Sequence, residues 1–164
     1  MLARFNSLNF FKPLYVLFFM IFALTGIVWG QGVTFPLETI MIEQQTGKLL
    51  SLRVEVATTP QEQQQGLMFR QSMPYDQGMI FFFNQPKIVS MWMRNTYIPL
   101  DMLFIDKQGL IIAIQARVIP QSDNLIVSPK PAAAVLEING GASDKFGIQV
   151  GDRVLHPFFA TAKP

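Results

Sequence analysis

The sequence predicts a mainly β (α+β) fold: a small antiparallel barrel-like or sandwich-like domain of about eight short strands with two short helices. Three observations predict it. Apolar and polar residues alternate over short stretches, the period of a half-buried strand. Turn-forming Gly, Pro, Asn and Asp recur between those stretches. Only brief segments carry helix signals, so the long crossover helices of a parallel sheet are missing.

Residues 1–30 stand apart from that pattern. Arg4 and Lys12 are their only charged side chains, and both precede the apolar run Leu14–Trp29. A stable, untilted membrane span needs about 20 residues, and this run falls short of that. It ends at Val28-Trp29-Gly30, with small residues where a signal peptidase reads, and Gln31 opens a polar stretch. A signal peptide over 1–30, cleaved near Gly30, is expected, with a periplasmic or extracellular product. An uncleaved inner-membrane anchor is the alternative. The chain has no Cys, which excludes lipoprotein attachment.

The rest divides into a flexible lead at 31–36, a single β-rich domain at 37–157 and a C-terminal tail at 158–164. Leu37–Glu43 and Leu49–Ala57 alternate around the turn Gln44–Lys48 and read as a hairpin. Leu50, Leu52, Val54 and Val56 share one face. Thr59, Pro60 and Glu62 are the N-cap, first-turn Pro and capping-box acid of a short helix reaching about Leu67. Met73–Gly78 is a turn, and Met79–Phe83 an unbroken apolar run suited to burial on both faces. Asn84–Lys87 turns into a strand at Ile88–Met93. Arg94-Asn95-Thr96 interrupts, Pro99 fixes a bend, and Asp101–Ile105 is the next strand. Asp106-Lys107-Gln108-Gly109 is a hairpin turn into Leu110–Val118. A polar loop at Pro120–Pro131, a strand at Ala134–Ile138, a helix within Gly140–Gly147 and a last strand at Arg153–Leu155 complete the pattern.

Charge removes one class of function. The chain has 13 basic and 11 acidic residues, and Arg4 and Lys12 account for the whole excess. From Gln31 onward it is formally neutral, with its basic residues scattered singly. A nucleic-acid partner requires clustered Lys and Arg, so none is expected. With no Cys and one His, the domain is expected to fold as a monomer without disulfide, metal or cofactor. Nine Phe remain beyond residue 30 to supply a core.

Several phrases, in order, carry a resemblance. They are Gly66-Leu67-Met68-Phe69-Arg70, Gly78-Met79-Ile80-Phe81-Phe82-Phe83, Met91-Trp92-Met93-Arg94-Asn95-Thr96 and Ile98-Pro99-Leu100-Asp101. Phe104-Ile105-Asp106, Val135-Leu136-Glu137, Gly147-Ile148 and Gly151-Asp152-Arg153-Val154 follow. Together they resemble domain-of-unknown-function family 192, over about residues 38–157. The resemblance implies a compact β-rich domain, often behind a signal sequence, and brings no agreed activity, substrate or cofactor. The chain departs from the family at Met91, where an aromatic is more usual, and at Ala134, where Tyr is frequent. If those aromatics shape a pocket, its chemistry here differs.

The best candidate surface by residue chemistry is Trp92-Met93-Arg94-Asn95-Thr96. An apolar pair is followed at once by a guanidinium fork suited to carboxylate or phosphate, then an amide and a hydroxyl. Asp101, past the Pro-fixed bend, is expected to face Arg94, and Arg70 to join from the end of the first helix. These seven residues are the expected ligand-binding rim: Arg94, Asn95, Thr96 and Asp101 above Trp92 and Met93, with Arg70 beside them. The bland alternative is an Arg94–Asp101 ion pair with Asn95 and Thr96 satisfying loop backbone.

Three functions follow. The first is an exported domain binding a small ligand, an anionic one suiting the Arg fork, or an envelope protein, without catalysis. The second is a hydrolase or transferase using Arg94 and Asp101, with Asn95 as an oxyanion-type donor. The third is a copper carrier built on the Met residues between Met68 and Met102, which serve equally well as core filler against the Phe residues. His156, the one histidine, would need Ser90 or Ser128 for a triad, and neither lies in a nucleophile elbow. Asp101 and Asp106 lie roughly 17 Å apart along one strand, too far for a carboxylate dyad. Asp106 and Asp152 read as turn caps.

Overall fold

Three apolar runs are continuous enough to be covered on both sides, and they form the middle of the sheet. The structure, a computed structural model, describes residues 33–159. The signal segment expected at 1–30 lies outside the described residues, as do residues 160–164 of the tail. Among the described residues are β1 (Leu37–Glu43), β2 (Leu49–Ala57), α1 (Pro60–Gln65), β3 (Gln77–Lys87), β4 (Ser90–Met91) and β5 (Leu100–Ile105). They continue with β6 (Ile111–Val118), β7 (Ile126–Val127), β8 (Ala132–Asn139), α2 (Ala142–Phe146) and β9 (Arg153–Leu155).

Seven strands make one sheet in the order β6-β5-β8-β3-β2-β1-β9, while β4 and β7 pair separately. The large sheet curls into a half-barrel. Its two edges meet where Leu110 bridges Arg153, so the curl brings β6 and β9 together. The mainly β, barrel-like class with two short helices is as the alternation predicted. One pairing departs from the antiparallel expectation: β2 and β3 run parallel. The connection over 58–76, with α1 inside it, carries the chain back to the same end, as a parallel pair requires.

Period-two alternation sorts the central strands into two cores. Ile80 and Phe82 of β3, Leu103 and Ile105 of β5, and Leu136 and Ile138 of β8 face one way. They meet Ile40, Leu52, Val54, Ile111, Val154 and Phe159, so this cluster draws on every strand of the curl and fills its inside. Met79, Phe81 and Phe83, with Met102, Phe104 and Val135, face the other way. There they are covered by Leu67, Met73, Val89, Met93 and Ile98 from the connecting segments. Phe159, assigned to the tail by sequence, is buried in the first cluster.

Local chemistry explains the turns. Thr59 Oγ1 accepts from Glu62 N–H at 3.2 Å, and the Glu62 carboxylate accepts from Thr59 N–H at 2.9 Å and Thr58 N–H at 2.8 Å. This is the capping box the sequence predicted. Thr59→Ala should lower stability by about 1 kcal/mol in denaturant titration. Asp106 and Asp152 cap turn amides as expected, Asp106 from Gln108 and Leu110, Asp152 from Gln45 and Gln149. Gly78 has a steric purpose, since a Cβ there would lie 2.5 Å from the Glu137 carbonyl oxygen.

Two segments differ from expectation. Asn84–Lys87, read as a turn, continues β3 through a register shift between Phe82 and Lys87, where Pro86 is tolerated. The strand expected over Ile88–Met93 shrinks to Ser90–Met91, and its partner Ile126–Val127 lies in the segment read as loop. Isolated two-residue strands leave no periodic signal.

Candidate functional site

A transverse row of side chains crosses the outer face of the sheet. The register places Glu55 beside Met79, Met79 beside Glu137, Glu137 beside Met102 and Met102 beside Gln115. Neighbouring strands lie about 4.8 Å apart, so Glu137 sits between two buried methionines with no polar neighbour in the row at that distance. Its side chain is almost wholly buried, and no described residue donates a hydrogen bond to its carboxyl. Burial pushes its pKa from 4.5 up to about 8. An unpaired carboxyl in such surroundings is kept as the neutral acid at neutral pH.

Above Glu137 opens a cavity of about 530 Å³. One wall is α1 and the turn after it, from Gln63 to Met68. The other is Phe81, Phe83 and Lys87 of β3 with Ser90, Met91 and Trp92, and Thr96 closes one side. No wholly inaccessible polar side-chain atom among the described residues lacks a partner, so the Glu137 carboxyl reaches solvent through this opening. Gln63 Nε2 donates to the Phe82 carbonyl at 2.7 Å and fixes α1 across β3. Gly66, at φ +46°, lets the turn pass the Phe81 ring, which a Cβ would meet at 3.3 Å. Lys87 Nζ lies 4.6 Å above the Phe83 ring centroid. A second groove of about 450 Å³, between β6 and β7, contains no buried titratable group.

The rim stores backbone strain. Phe69 (φ 65°) and Asn95 (φ 57°) are both left-handed, and the Phe69 N–H donates to the Asn95 carbonyl at 2.8 Å. A bulky aromatic rarely adopts that conformation, and such outliers persist where surrounding contacts hold them. Here the Phe69 ring sits edge-on to Tyr97 at 6.2 Å, and Asn95 Nδ2 approaches Met68 Sδ at 4.0 Å.

The structure divides the residues singled out by sequence. Trp92 and Thr96 line the cavity, and Met93 is buried in the core below. Asn95 shapes the rim through its backbone. Arg94 is half exposed, stacked 4.5 Å over Trp92 and bonded from Nε to Asp123 Oδ1 at 2.7 Å. Arg70 pairs with Glu55, one strand beyond Met79, and lies 6.0 Å over the Phe35 ring. Asp101 does not join them, and the expected Arg94–Asp101 pair is not formed. On β5, Leu100, Met102 and Phe104 face the outer core, so alternation turns Asp101 to the opposite side of the sheet. There its Oδ1 accepts from Arg117 and Gly141 N–H, and its Oδ2 from the N–H and hydroxyl of Ser143.

Other sequence candidates find structural roles. Met73, Met79, Met93 and Met102 are buried core, whereas Met68 and Met91 line the cavity. Among the described residues no three His, Cys, Asp or Glu side chains cluster as metal ligands. His156 contacts Glu38 through Nε2 at 2.8 Å and accepts from Phe158 N–H at Nδ1, which leaves neither ring nitrogen for a serine. Ser128 Oγ accepts from Val89 N–H. Of the two departures from the family pattern, Met91 faces the cavity and Ala134 the opposite core. Sequence reasoning passed over Glu137, although an acid inside Ala-Ala-Ala-Val-Leu-Glu-Ile was its signal.

Comparison with known proteins agrees with this architecture. No curated protein matches the sequence. A Sinorhizobium meliloti protein of solved structure, described as a candidate transcription regulator, is 41% identical, with a TM-score of 0.74. The alignment covers 76% of this chain and 97% of that one. A Novosphingobium aromaticivorans protein of unknown function is 38% identical with a TM-score of 0.70, over 73% of this chain and 85% of that one. The sequence profile of DUF192, described as Uncharacterized ACR, matches residues 39–156. With that match across the curled sheet and the strands flanking the cavity, the chain belongs to the DUF192 family.

Proposed function

We propose that this domain binds a small molecule in the cavity over Glu137. The single observation that carries the reading is a buried carboxyl, without a donor from the chain, at the base of an opening of about 530 Å³. A carboxyl set in largely apolar surroundings, with no donor from the chain and reached only through the opening, gains free energy from a partner that enters to pair with it. Phe81, Phe83, Met91 and Trp92 offer apolar surface, while Ser90, Thr96 and the Gln63 amide offer orientation. That balance suits a compact, largely apolar molecule with one polar group directed at Glu137. Export is part of the same proposal, supported by the order Arg4, Lys12, Leu14–Trp29 and Gly30. The acid–base alternative through Arg94 and Asp101 has less support, because the two side chains lie on opposite sides of the sheet.

The test is native mass spectrometry of protein produced from the full-length sequence, with Met91→Trp as the comparison. Wild type should retain a small molecule that the bulkier indole excludes. Wild type that carries no added mass, and gains no thermal stability from any member of a chemically diverse fragment set, would refute the reading.

A further inference from the structure

We propose that the cavity over Glu137 selects organic cations: a protonated amine or quaternary ammonium on an apolar body, held between the Glu137 carboxylate and the aromatic walls. The inference rests on the binding-cavity reading and adds the charge of the ligand. Its basis is the sign of what faces the opening. Glu137 is the one carboxyl lining it, and the rings of Phe81, Phe83 and Trp92 line it too, two of them already holding a cation over a face. The Met68 and Met91 thioethers are electron-rich as well. Once Glu137 is ionised, such a set attracts a cation and repels an anion, with Lys87 the one positive charge lining the opening against it.

The chain's own cations do not satisfy it. Lys87, the one basic residue lining the cavity, is held over the Phe83 ring. Arg94 covers Trp92 and is turned to Asp123. Beyond Met79 the next charges are Glu55 and Arg70, which neutralise each other. From β5 the neighbour of Glu137 is Met102, and from α1 and its following turn the lining groups are Gln63, Gln64, Gln65, Leu67 and Met68, all uncharged. Two of these cations already sit on aromatic faces at the cavity, and a ligand ammonium would repeat that geometry deeper, next to the carboxyl.

Proton balance gives the inference its signature. Without ligand the carboxyl holds its proton through neutral pH, because burial disfavours the charge. An entering ammonium brings its own positive charge and makes the carboxylate the favoured form. The carboxyl proton passes to bulk solvent, and no covalent bond to carbon forms or breaks. Below the carboxyl's pKa, one released proton raises affinity about tenfold per pH unit. A carboxylate ligand, paired with the protonated acid, would take up no proton there and show no slope, its affinity falling only above that pKa.

Isothermal titration of protein produced from the full-length sequence tests this with benzylammonium, benzyl alcohol and benzoate, between about pH 6 and 7.5. Two buffers of different ionisation heat count the protons, and the ammonium keeps its charge throughout. The expected result is benzylammonium binding tightest, with affinity rising about tenfold per pH unit and about one proton released. Benzyl alcohol should be insensitive to pH. Glu137→Gln, which keeps the side-chain volume, should abolish the slope and the proton release. The slope and the proton count are read on wild type, so they do not depend on how the variant folds. Benzyl alcohol or benzoate binding as tightly as benzylammonium would overturn cation selection and leave the cavity reading standing. Absence of binding by all three at millimolar concentration would overturn cation selection, and together with no added mass on wild type and no stabilisation by the fragment set it would overturn both.

Discussion

At pH 8 to 9, Glu137→Gln should be more stable than wild type by about 3–5 kcal/mol, and near pH 4.5 the two should be nearly equal. The sign follows from the buried carboxyl. In the unfolded chain Glu137 ionises with a pKa near 4.5, and in the folded chain burial pushes it up to about 8. Below 4.5 both states hold the proton, so the group is neutral in the balance. Between these values the unfolded state gives up its proton and the folded state keeps it. Stability therefore falls as pH rises, by about 1.4 kcal/mol per pH unit, until the folded carboxyl also ionises near 8. An amide has nothing to ionise and escapes that loss. Glutamine can still direct its amide at the cavity, so no new orphan is created in the apolar row of Met79 and Met102. Denaturant titrations of both proteins across this range are the check. Parallel pH profiles would mean that Glu137 is paired or solvated in solution, and the cavity would lose its central group.

Much of the fold was legible because alternation is a local signal. The β1–β2 hairpin, the capping box at Thr59 and Glu62, the Asp106 turn and the left-handed Gly147 that stops α2 each depend on residues within one or two turns of chain. The parallel pairing of β2 with β3 was not legible. It depends on where the segment over 58–76 delivers the chain, and a six-residue helix does not advertise a crossover. Pro86 misled for a related reason. It marks turns in most contexts, and here it sits in the irregular stretch of a strand that has already left its partner's register.

Of the residues around the candidate cavity, some were legible in the sequence. Trp92 and Thr96 reach the cavity because the sequence change from apolar to polar marks the end of the local strand, which is where the opening lies. The error was in treating Arg94 and Asp101 as facing groups because of the bend at Pro99. Alternation along Leu100–Ile105 already decided the matter, since Asp101 is out of phase with Leu100, Met102 and Phe104. The same parity argument finds Glu137: it is in phase with Val135 and therefore faces the outer core, and β8 itself contains no Lys or Arg to pair with it. A lone acid within a doubly buried strand is a stronger pointer than an exposed Arg, because burial makes the acid expensive unless something uses it.

Asp101→Ala should cost about 3–5 kcal/mol and Asp101→Asn nearly as much, because Asp101 is the fastening point of three chain segments. From β5 it receives Arg117 N–H of β6 at 2.8 Å, Gly141 N–H at 2.8 Å and Ser143 N–H at 2.9 Å, together with the Ser143 hydroxyl at 2.5 Å. Arg117 (φ 49°) is left-handed, a conformation that a long side chain rarely adopts, so the carboxylate also holds a strained residue in place, beside Gly141 (φ +86°), where only glycine fits freely. All four partners are donors. Alanine leaves them unpaired, and asparagine must turn its NH₂ toward at least one backbone N–H whichever way it is placed, even where the Ser143 hydroxyl reverses to accept from it. The pH dependence runs opposite to that of Glu137. Burial works to raise the Asp101 pKa, but the bonds from Ser143, Gly141 and Arg117 together outweigh it and hold the carboxyl below its usual 3.8. Its contribution is therefore complete above 3.8 and is lost as pH falls through the lower folded value. Wild type should lose stability in that acid window, whereas Asp101→Asn should not lose this contribution there. With Glu137 eroding stability above 4.5, these two carboxyls together favour the folded state most near pH 4 to 5. Thermal unfolding of the Asp101 variants at several pH values measures both effects. A variant within about 1 kcal/mol of wild type at neutral pH would show that the three segments are fastened by other contacts.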